Sequence, residues 1–293
     1  MKAKKPFLCI LLLFLYACQG KEDTEKRTEL QQKEEIIEEK SLQETEKVKK
    51  EEMTEEQNRK MSIKEAGIAN KKRKMQNSKI EKKLKKFVPR GWRILQFVTR
   101  DLNKDKLEDV AMVIEKTDSR NFVKNNALGP EILNLNPREL WILFQEKDGD
   151  YVLETKNDIG LIPPENTIEC TALADPLVNG EIFIENHLLK CQFNYWLSAG
   201  SWYASIVSYI FRYQKEHFEL IGVDYYSYHR ASGEEEESSY NLSTGKMKIT
   251  TGGNISGEGK EKVEWKNKPC EKKPILEDLM EDAYAELLFA KES

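Results

Sequence analysis

The clearest chemical pattern in this chain lies in the nine residues that begin at Asp101. Asp101, Asn103, Asp105 and Asp109 follow the pattern D-x-N-x-D-x-x-x-D, in which oxygen-bearing side chains recur at close intervals. On a tight loop such side chains converge, and a hard cation such as Ca²⁺ takes about six to eight oxygen ligands. The sequence therefore predicts a calcium site formed by these four side chains and the carbonyl oxygen of Leu107. A polar turn that binds no metal is the alternative.

An apolar segment, Val110–Ile114, follows this loop directly. A loop followed by a strand resembles the calcium loops of integrin-α-type FG-GAP and VCBS repeat proteins, over roughly Gln96 to Glu115. The resemblance implies a β fold in which calcium stabilises the structure. Those families usually carry glycine where this chain has Lys104 and Lys106, and glycine's backbone freedom is useful at such turns.

A wider resemblance extends over the rest of the domain. The order of the acidic loop, a hairpin, and the segments 211–222 and 240–246 is similar to that of a group of uncharacterised secreted bacterial proteins. This similarity implies the fold and no particular activity.

A second group of candidate residues is aromatic. Tyr195, Trp196, Trp202 and Tyr203 lie close together in the sequence and precede further aromatic residues around His229. They are candidates for a groove that stacks on a sugar or a peptide. Aromatic side chains at strand spacing also occur as ordinary core residues, which is the alternative.

Patterns for other chemistry are weak. The three histidines lack a second His or Cys at metal-ligand spacing, which argues against a zinc site. Ser201, Asp224 and His229 form a hydrolase triad only on paper, since no G-x-S-x-G turn is present. We therefore predict a non-catalytic domain with a binding or structural role. An envelope hydrolase that acts on glycan or peptide through the aromatic groove is the alternative.

The N-terminus carries an export signal. A basic start precedes the apolar run Phe7–Tyr16, which is too short for a permanent membrane span. The run ends in Leu-Tyr-Ala-Cys, which resembles the lipobox of bacterial lipoproteins and implies a signal peptide over residues 1–17 and a lipid on Cys18. Acylation there would anchor the protein to the cell membrane or outer membrane, outside the cytoplasm. Gln19 in place of Asp favours the outer membrane.

Residues 18–86 are a charged tether, helical or disordered, with coiled-coil association as the minority alternative. Residues 71–86 carry nine basic side chains and one acidic one. Ile80, Leu84 and Phe87 have the spacing to dock a helix onto the domain, although a solvated helix face is favoured.

Residues 87–293 carry 24 basic and 35 acidic side chains, which argues against nucleic acid and leaves an envelope protein or a cell-wall polymer as the candidate partner. Short runs of alternating polarity predict a mainly β, antiparallel sheet domain over 87–272, propeller-like or a sandwich. An amphipathic helix is expected to pack on it over 273–293. Glu234–Glu237 is expected to be a solvated loop. The predicted strands are Val110–Ile114, Leu140–Phe144, Tyr151–Leu153, Glu181–Ile184, Leu188–Phe193, Ala204–Tyr213, Phe218–Ile221, Ser239–Leu242, Lys246–Thr250 and Lys262–Trp265.

The cysteines after Cys18 are candidates for oxidation in an exported chain. Cys170 and Cys191 flank the Asn179-Gly180 turn, which suggests a disulfide between them. Cys270 would then be unpaired.

Overall fold

A computed structural model of the chain describes residues 77–178 and 180–289, which are mainly β. Helix α1 runs over 77–84 and helix α2 over Ala283–Phe289. Short 3-10 turns lie at Ser119–Asn121 and Leu276–Asp278. The strands are β1 Trp92–Arg100, β2 Asp109–Lys116, β3 Phe122–Lys124, β4 Ile132–Asn134, β5 Arg138–Gln145, β6 Tyr151–Asn157, β7 Glu181–Glu185, β8 Leu188–Trp196, β9 Tyr203–Gln214, β10 His217–His229, β11 Glu234–Asn241, β12 Lys246–Asn254 and β13 Lys262–Asn267.

The smaller main sheet has the order β1-β2-β5-β6, and all its pairings are antiparallel. Ala111 in β2 pairs with Ile142 in β5, and Met112 pairs with Trp141. Every residue of β2 from Asp109 to Glu115 is buried. Because successive side chains point to opposite faces of a strand, both faces of this sheet must be covered.

The larger sheet is a meander of seven antiparallel strands in the order β13-β12-β11-β10-β9-β8-β7. Two of its hairpins turn through two-residue loops, at Asn186-His187 and at Lys215-Glu216. All four loop residues have positive φ, between 50° and 64°. This left-handed conformation matches the twist of the paired strands in a tight hairpin.

The two sheets pack face to face around one core. The smaller sheet contributes four fully buried residues that pack against inward residues of the larger sheet: Ala111, Val113, Leu140 and Ile142. The larger sheet's main contributors are Leu189, Cys191, Phe193, Val207, Tyr209, Phe211, Phe218, Leu220 and Val223. The arrangement is a sandwich, and the prediction of a mainly β antiparallel domain is confirmed.

Helix α1 covers the other face of the smaller sheet. Its residues Ile80 and Leu84 are buried against Val110, Met112 and their neighbours, and Phe87 packs beside them. The preference for a solvated helix face was wrong, because the apolar stripe of α1 packs on this face of the smaller sheet. The compact unit therefore begins at Ser78. The signal peptide, Cys18 and most of the predicted tether lie outside the described residues.

The C-terminal segment packs on the inner face of the larger sheet. The hydroxyl of Tyr209 donates to the carbonyl of Glu281 (2.7 Å) and accepts from the N–H of Tyr284 (2.9 Å). The buried Asn157 amide donates to the carbonyls of Leu276 (2.7 Å) and Leu279 (2.8 Å). The helix expected over 273–293 is shorter in the described residues, where a 3-10 turn at Leu276–Asp278 precedes α2 at Ala283–Phe289. No helix in the described ranges is long and apolar enough to cross a bilayer.

The predicted disulfide is absent, because Cys170 and Cys191 are both free thiols. Cys191 lies in the core, where burial raises the pKa of its thiol. Leu173 forms a bridge with Leu197, beyond the far end of β8. At about 3.3 Å per residue, this places Leu173, which is hydrogen-bonded to Cys170, roughly 20 Å from Cys191 along the strand direction. A disulfide needs Cα atoms within about 7 Å.

The prediction of a solvated loop at Glu234–Glu237 was also wrong, because these residues begin β11. Tyr226 of β10 lies opposite Glu237, and Thr250 of β12 lies on its other side. Pairing with two neighbours supplies backbone hydrogen bonds that the local sequence does not suggest.

A buried ion network joins the smaller sheet to the segment that leads into the larger one. Arg138 donates to Glu115 (2.9 Å) across the strand pair and makes a two-pronged contact with Asp175 (2.7 and 2.8 Å). Arg93 reaches the second oxygen of Glu115 from β1. Burial disfavours the charge of Arg138, but its hydrogen bonds to Asp175 and Glu115 outweigh burial and raise its pKa.

Replacing Arg138 by Met should lower the free energy of unfolding by about 3–5 kcal/mol, because Glu115 then remains buried without its main partner. Urea unfolding followed by circular dichroism measures the change. Arg93→Met is the matched control, since Arg93 contacts the same carboxylate but its side chain is 55% exposed. Its expected cost is at most about 1 kcal/mol. Equal losses in the two variants would contradict this account of the network.

Candidate functional site

The acidic loop joins β1 to β2. Asp101 accepts hydrogen bonds from the N–H groups of Lys104 (2.6 Å) and Lys106 (3.1 Å). Both lysines have positive φ, 71° and 72°. These are the two positions at which the resembling families carry glycine, so the local backbone follows the left-handed turns that glycine favours. The structure thus explains why glycine suits these positions, while the two lysines remain exposed.

The middle of the loop repeats the same interaction. Asn103 accepts from the N–H of Asp105 (3.0 Å), and Asp105 accepts from the N–H of Leu107 (2.8 Å). Each polar side chain therefore folds back over the loop's own backbone, as short side chains do in Asx turns. The predicted side chains at 101, 103 and 105 lie together on one exposed turn.

Asp109 differs from the other loop residues because it is fully buried at the start of β2. One oxygen accepts from the N–H of Leu102 (2.8 Å) and the other from the N–H of Gln145 (3.1 Å). Burial raises the pKa of Asp109, and these backbone donors act in the opposite direction. Asp109 fixes both ends of the loop to the adjacent strand β5.

His187 was not predicted as a neighbour of the loop. It lies at the tip of the β7–β8 hairpin, and its Nδ1 is 2.9 Å from the carbonyl oxygen of Asp101 and 3.6 Å from a carboxylate oxygen of the same residue. The larger sheet therefore touches the acidic loop of the smaller one. The sequence carries no signal for this contact, since 86 residues separate the two positions.

The donor chemistry of the loop suits a hard cation. Asp101, Asn103, Asp105 and the carbonyl of Leu107 offer only oxygen atoms, which is the preference of Ca²⁺. Within the described residues, however, no set of three or more Asp, Glu, His or Cys side chains is grouped closely enough to hold a metal. The carboxylates of the loop are held instead by its backbone N–H groups.

Three of the four predicted groove residues remain exposed at one end of the larger sheet, where strand alternation places Trp196 and Tyr203 on opposite faces. Trp196 ends β8 and Tyr203 begins β9, while Trp202 precedes it. Their exposed fractions are 42% for Trp196, 65% for Trp202 and 57% for Tyr203. His229 ends β10 and pairs with Tyr203. Its imidazole contacts the rings of Trp202 and Tyr203. We call Trp196, Trp202, Tyr203, His229 and Arg230 the aromatic surface.

The rings of this surface are held by specific contacts. Trp202 stacks on His229 with 6.2 Å between ring centroids, and Tyr203 meets the same imidazole edge-on at 5.0 Å. The Arg230 guanidinium lies 4.4 Å from the centre of the Trp196 ring. Such a cation–π contact orients both side chains.

Arg230 is the functional candidate that sequence reasoning missed. Its backbone N–H donates to the carbonyl of Trp202 (2.7 Å), and its guanidinium donates to the carbonyl of Ser201. Its Nε is buried and has no hydrogen-bond partner in the protein. Only the pairing of β9 with β10 brings this residue to Trp196, so spacing alone gave no signal.

Tyr195 does not belong to the aromatic surface, and this part of the groove prediction was wrong. Adjacent residues of a strand point to opposite faces, so Tyr195 faces inward where Trp196 faces outward. Its ring lies 6.4 Å from that of Tyr284, the second residue of helix α2. Burial raises the pKa of Tyr195, whose hydroxyl has no hydrogen-bond partner.

The structure does not bring Ser201, Asp224 and His229 together as a catalytic triad. Asp224 accepts from the hydroxyl of Ser239 (2.6 Å), and the Nδ1 of His229 lies 3.0 Å from Ser232. The Ser201 hydroxyl bonds to the backbone of Tyr203.

No family model, no curated protein and no solved structure matches this chain.

Proposed function

We propose that this protein is a lipid-anchored cell-envelope protein whose β domain binds a cell-wall glycan without catalysis. The observation that carries the binding role is the aromatic surface. Two tryptophans and a tyrosine remain exposed although their positions are fixed by His229 and Arg230. Large aromatic groups that are exposed and yet held in place often mark interaction sites in soluble domains.

The chemistry of the surface favours a sugar. A pyranose ring has a face of C–H groups that packs on an aromatic ring, while its hydroxyl groups need polar partners. Trp202 and Tyr203 supply exposed ring surface, and His229 lies against both rings as a neighbouring polar group. A few placed polar groups among aromatic ones are typical of small-molecule sites.

The leader supports the location. A basic start, a short apolar run and Leu-Tyr-Ala-Cys precede the charged residues 19–76, and an acyl chain on Cys18 would hold the domain at a membrane. The charged stretch would let the domain reach a polymer away from the bilayer.

The acidic loop supports a structural role for calcium. Asp101, Asn103, Asp105 and the carbonyl of Leu107 would hold the ion, which would replace the loop's internal hydrogen bonds. Asp109, the fourth predicted side chain, is buried with both oxygens on backbone N–H groups. A bound ion would neutralise charge in a loop that links both sheets through His187.

A hydrolase that acts through the same surface is the other candidate. It requires two carboxylates that face the bound sugar. The ring contacts of Trp196, Trp202 and Tyr203 involve His229 and Arg230 instead, and therefore favour binding.

Cys18→Ser should abolish lipid attachment, because the thiol is the acyl acceptor. Expression of the full chain in a bacterium fed radiolabelled palmitate, followed by detergent phase partition, measures both label and membrane association. Cys9→Ser is the matched control, since Cys9 lies inside the leader and should leave labelling unchanged. Labelling that persists in Cys18→Ser would exclude this anchor.

Calcium should raise the melting temperature of the purified chain, because a ligand that binds only the folded state stabilises it by mass action. At a hundredfold excess over Kd the gain is about 2.7 kcal/mol. Asp105→Ala should remove the shift, whereas Asp148→Ala, in the neighbouring β5–β6 turn, should keep it. Identical melting temperatures with millimolar calcium and with chelator would show that the loop is a polar turn that binds no calcium.

Trp202→Ala should weaken glycan binding by roughly thirtyfold, the effect of losing an anchor worth about 2 kcal/mol. A soluble tetramer of β-1,4-linked N-acetylglucosamine is the probe, titrated calorimetrically into the full chain. Trp265→Ala is the control, since Trp265 is equally exposed (64%) and lies on another strand. Absence of binding by the wild-type chain, or equal losses in both variants, would contradict the proposal.

A further inference from the structure

The outer edge of the larger sheet is open. Strand β13 pairs with β12 on one side, and no strand in the described residues pairs with its other side. All six of its residues are exposed. An edge strand of this kind offers a row of N–H and C=O groups that can pair with another chain. The opposite edge differs, because β7 contacts β1 and β2 of the smaller sheet.

The edge carries large apolar side chains. Val263 and Trp265 are two residues apart and therefore share the outer face of the sheet. Their exposed fractions are 51% and 64%, and their partners on β12 are Thr250 and Lys248. Within the described residues, nothing covers Val263 or Trp265, either on the outer face of the sheet or at its open edge.

The other face of β13 carries alternating charges. Lys262, Glu264 and Lys266 follow one another at every second position, and Glu264 lies 3.6 Å from Lys266. This pattern is self-complementary. If two copies of β13 pair antiparallel about Trp265, each Glu264 lies opposite Lys266 of the second copy, and the two Trp265 rings lie opposite each other. Opposite charges and paired aromatic rings both stabilise antiparallel strand pairs.

The neighbouring registers are less favourable. A pairing centred on Glu264 places two glutamates opposite each other and sets Lys262 against Lys266, while one centred on Lys266 opposes two lysines. Like charges directly opposite are destabilising. In the register centred on Trp265, the like-charged position is Lys262 opposite Lys268. Lys268 is already turned to its own chain, where its ammonium donates to the carbonyl of Leu287 (2.9 Å).

We propose that β13 is a dimerisation edge, which pairs antiparallel with β13 of a second copy in the register centred on Trp265. The pairing joins the two larger sheets into one continuous sheet about a twofold axis. It satisfies the backbone groups of the open edge and buries Trp265 and Val263 against the second copy. Dimers with such an isologous interface are the commonest symmetric oligomers.

Disulfide trapping tests the register in the full-length chain, in mild detergent. Trp265→Cys places one thiol of each copy at the twofold axis, so mild oxidation should give a covalent dimer. Trp202→Cys is the matched control, because Trp202 is equally exposed (65%) and lies away from β13. The wild-type chain measures the background from its own cysteines. Trapping in Trp265→Cys no greater than in Trp202→Cys would overturn the register.

A charge exchange tests the pairing independently of new cysteines. Light scattering of the wild-type protein, corrected for detergent, should give twice the mass of a single chain. Glu264→Lys and Lys266→Glu should each give a single-chain mass, because each sets like charges opposite. The double exchange should restore the dimer. Both positions are exposed, so folding should be unchanged by circular dichroism. A monomeric wild-type chain, or a dimer that survives both single reversals, would overturn the proposal.

Discussion

The burial of β2 on both of its faces is the constraint on which this domain depends. Its apolar segment Val110–Ile114 does not alternate, so one face cannot be left to solvent. The larger sheet covers one face, and helix α1 covers the other. Loss of either layer would expose a continuous apolar face of the smaller sheet. The domain is therefore a sandwich with a helix outside it, and residues ahead of the strands belong to the fold.

A buried carboxylate lies at each end of this apolar segment, and each one organises the chain next to it. Asp109 holds the acidic loop against β5 through backbone N–H groups. Glu115 accepts a hydrogen bond from Arg138, which also binds Asp175 in the segment that leads into β7 of the larger sheet. Since a buried charge is tolerated only with partners, both contacts fix the geometry of the segments that they join.

The larger sheet carries both of the proposed binding regions. Its inner face is filled by the core and by the C-terminal segment, so the outer face, the strand ends and the edge β13 remain for binding. The aromatic surface uses the strand ends, where His229 and Arg230 orient the rings. The proposed dimer uses the edge. The two proposals involve different tryptophans and can therefore fail separately.

The sequence by itself determined the strands and the turns, because alternation and turn residues are local properties. It predicted most strands from Val110 onwards, though not β3, β4 or the first half of β11, and it predicted the acidic loop, whose left-handed positions fell at Lys104 and Lys106. Tertiary structure decided which patterns were buried. The sequence of a lysine-rich amphipathic helix has the same pattern whether the helix is solvated or packed on a sheet. The sequence therefore did not determine that α1 packs on the smaller sheet. Alternation placed Tyr195 and Trp196 on opposite faces, but only the packed C-terminal segment decided which face was inner. The separation of Cys170 from Cys191 likewise depends on strand pairing, since distance along the sequence does not give distance in space.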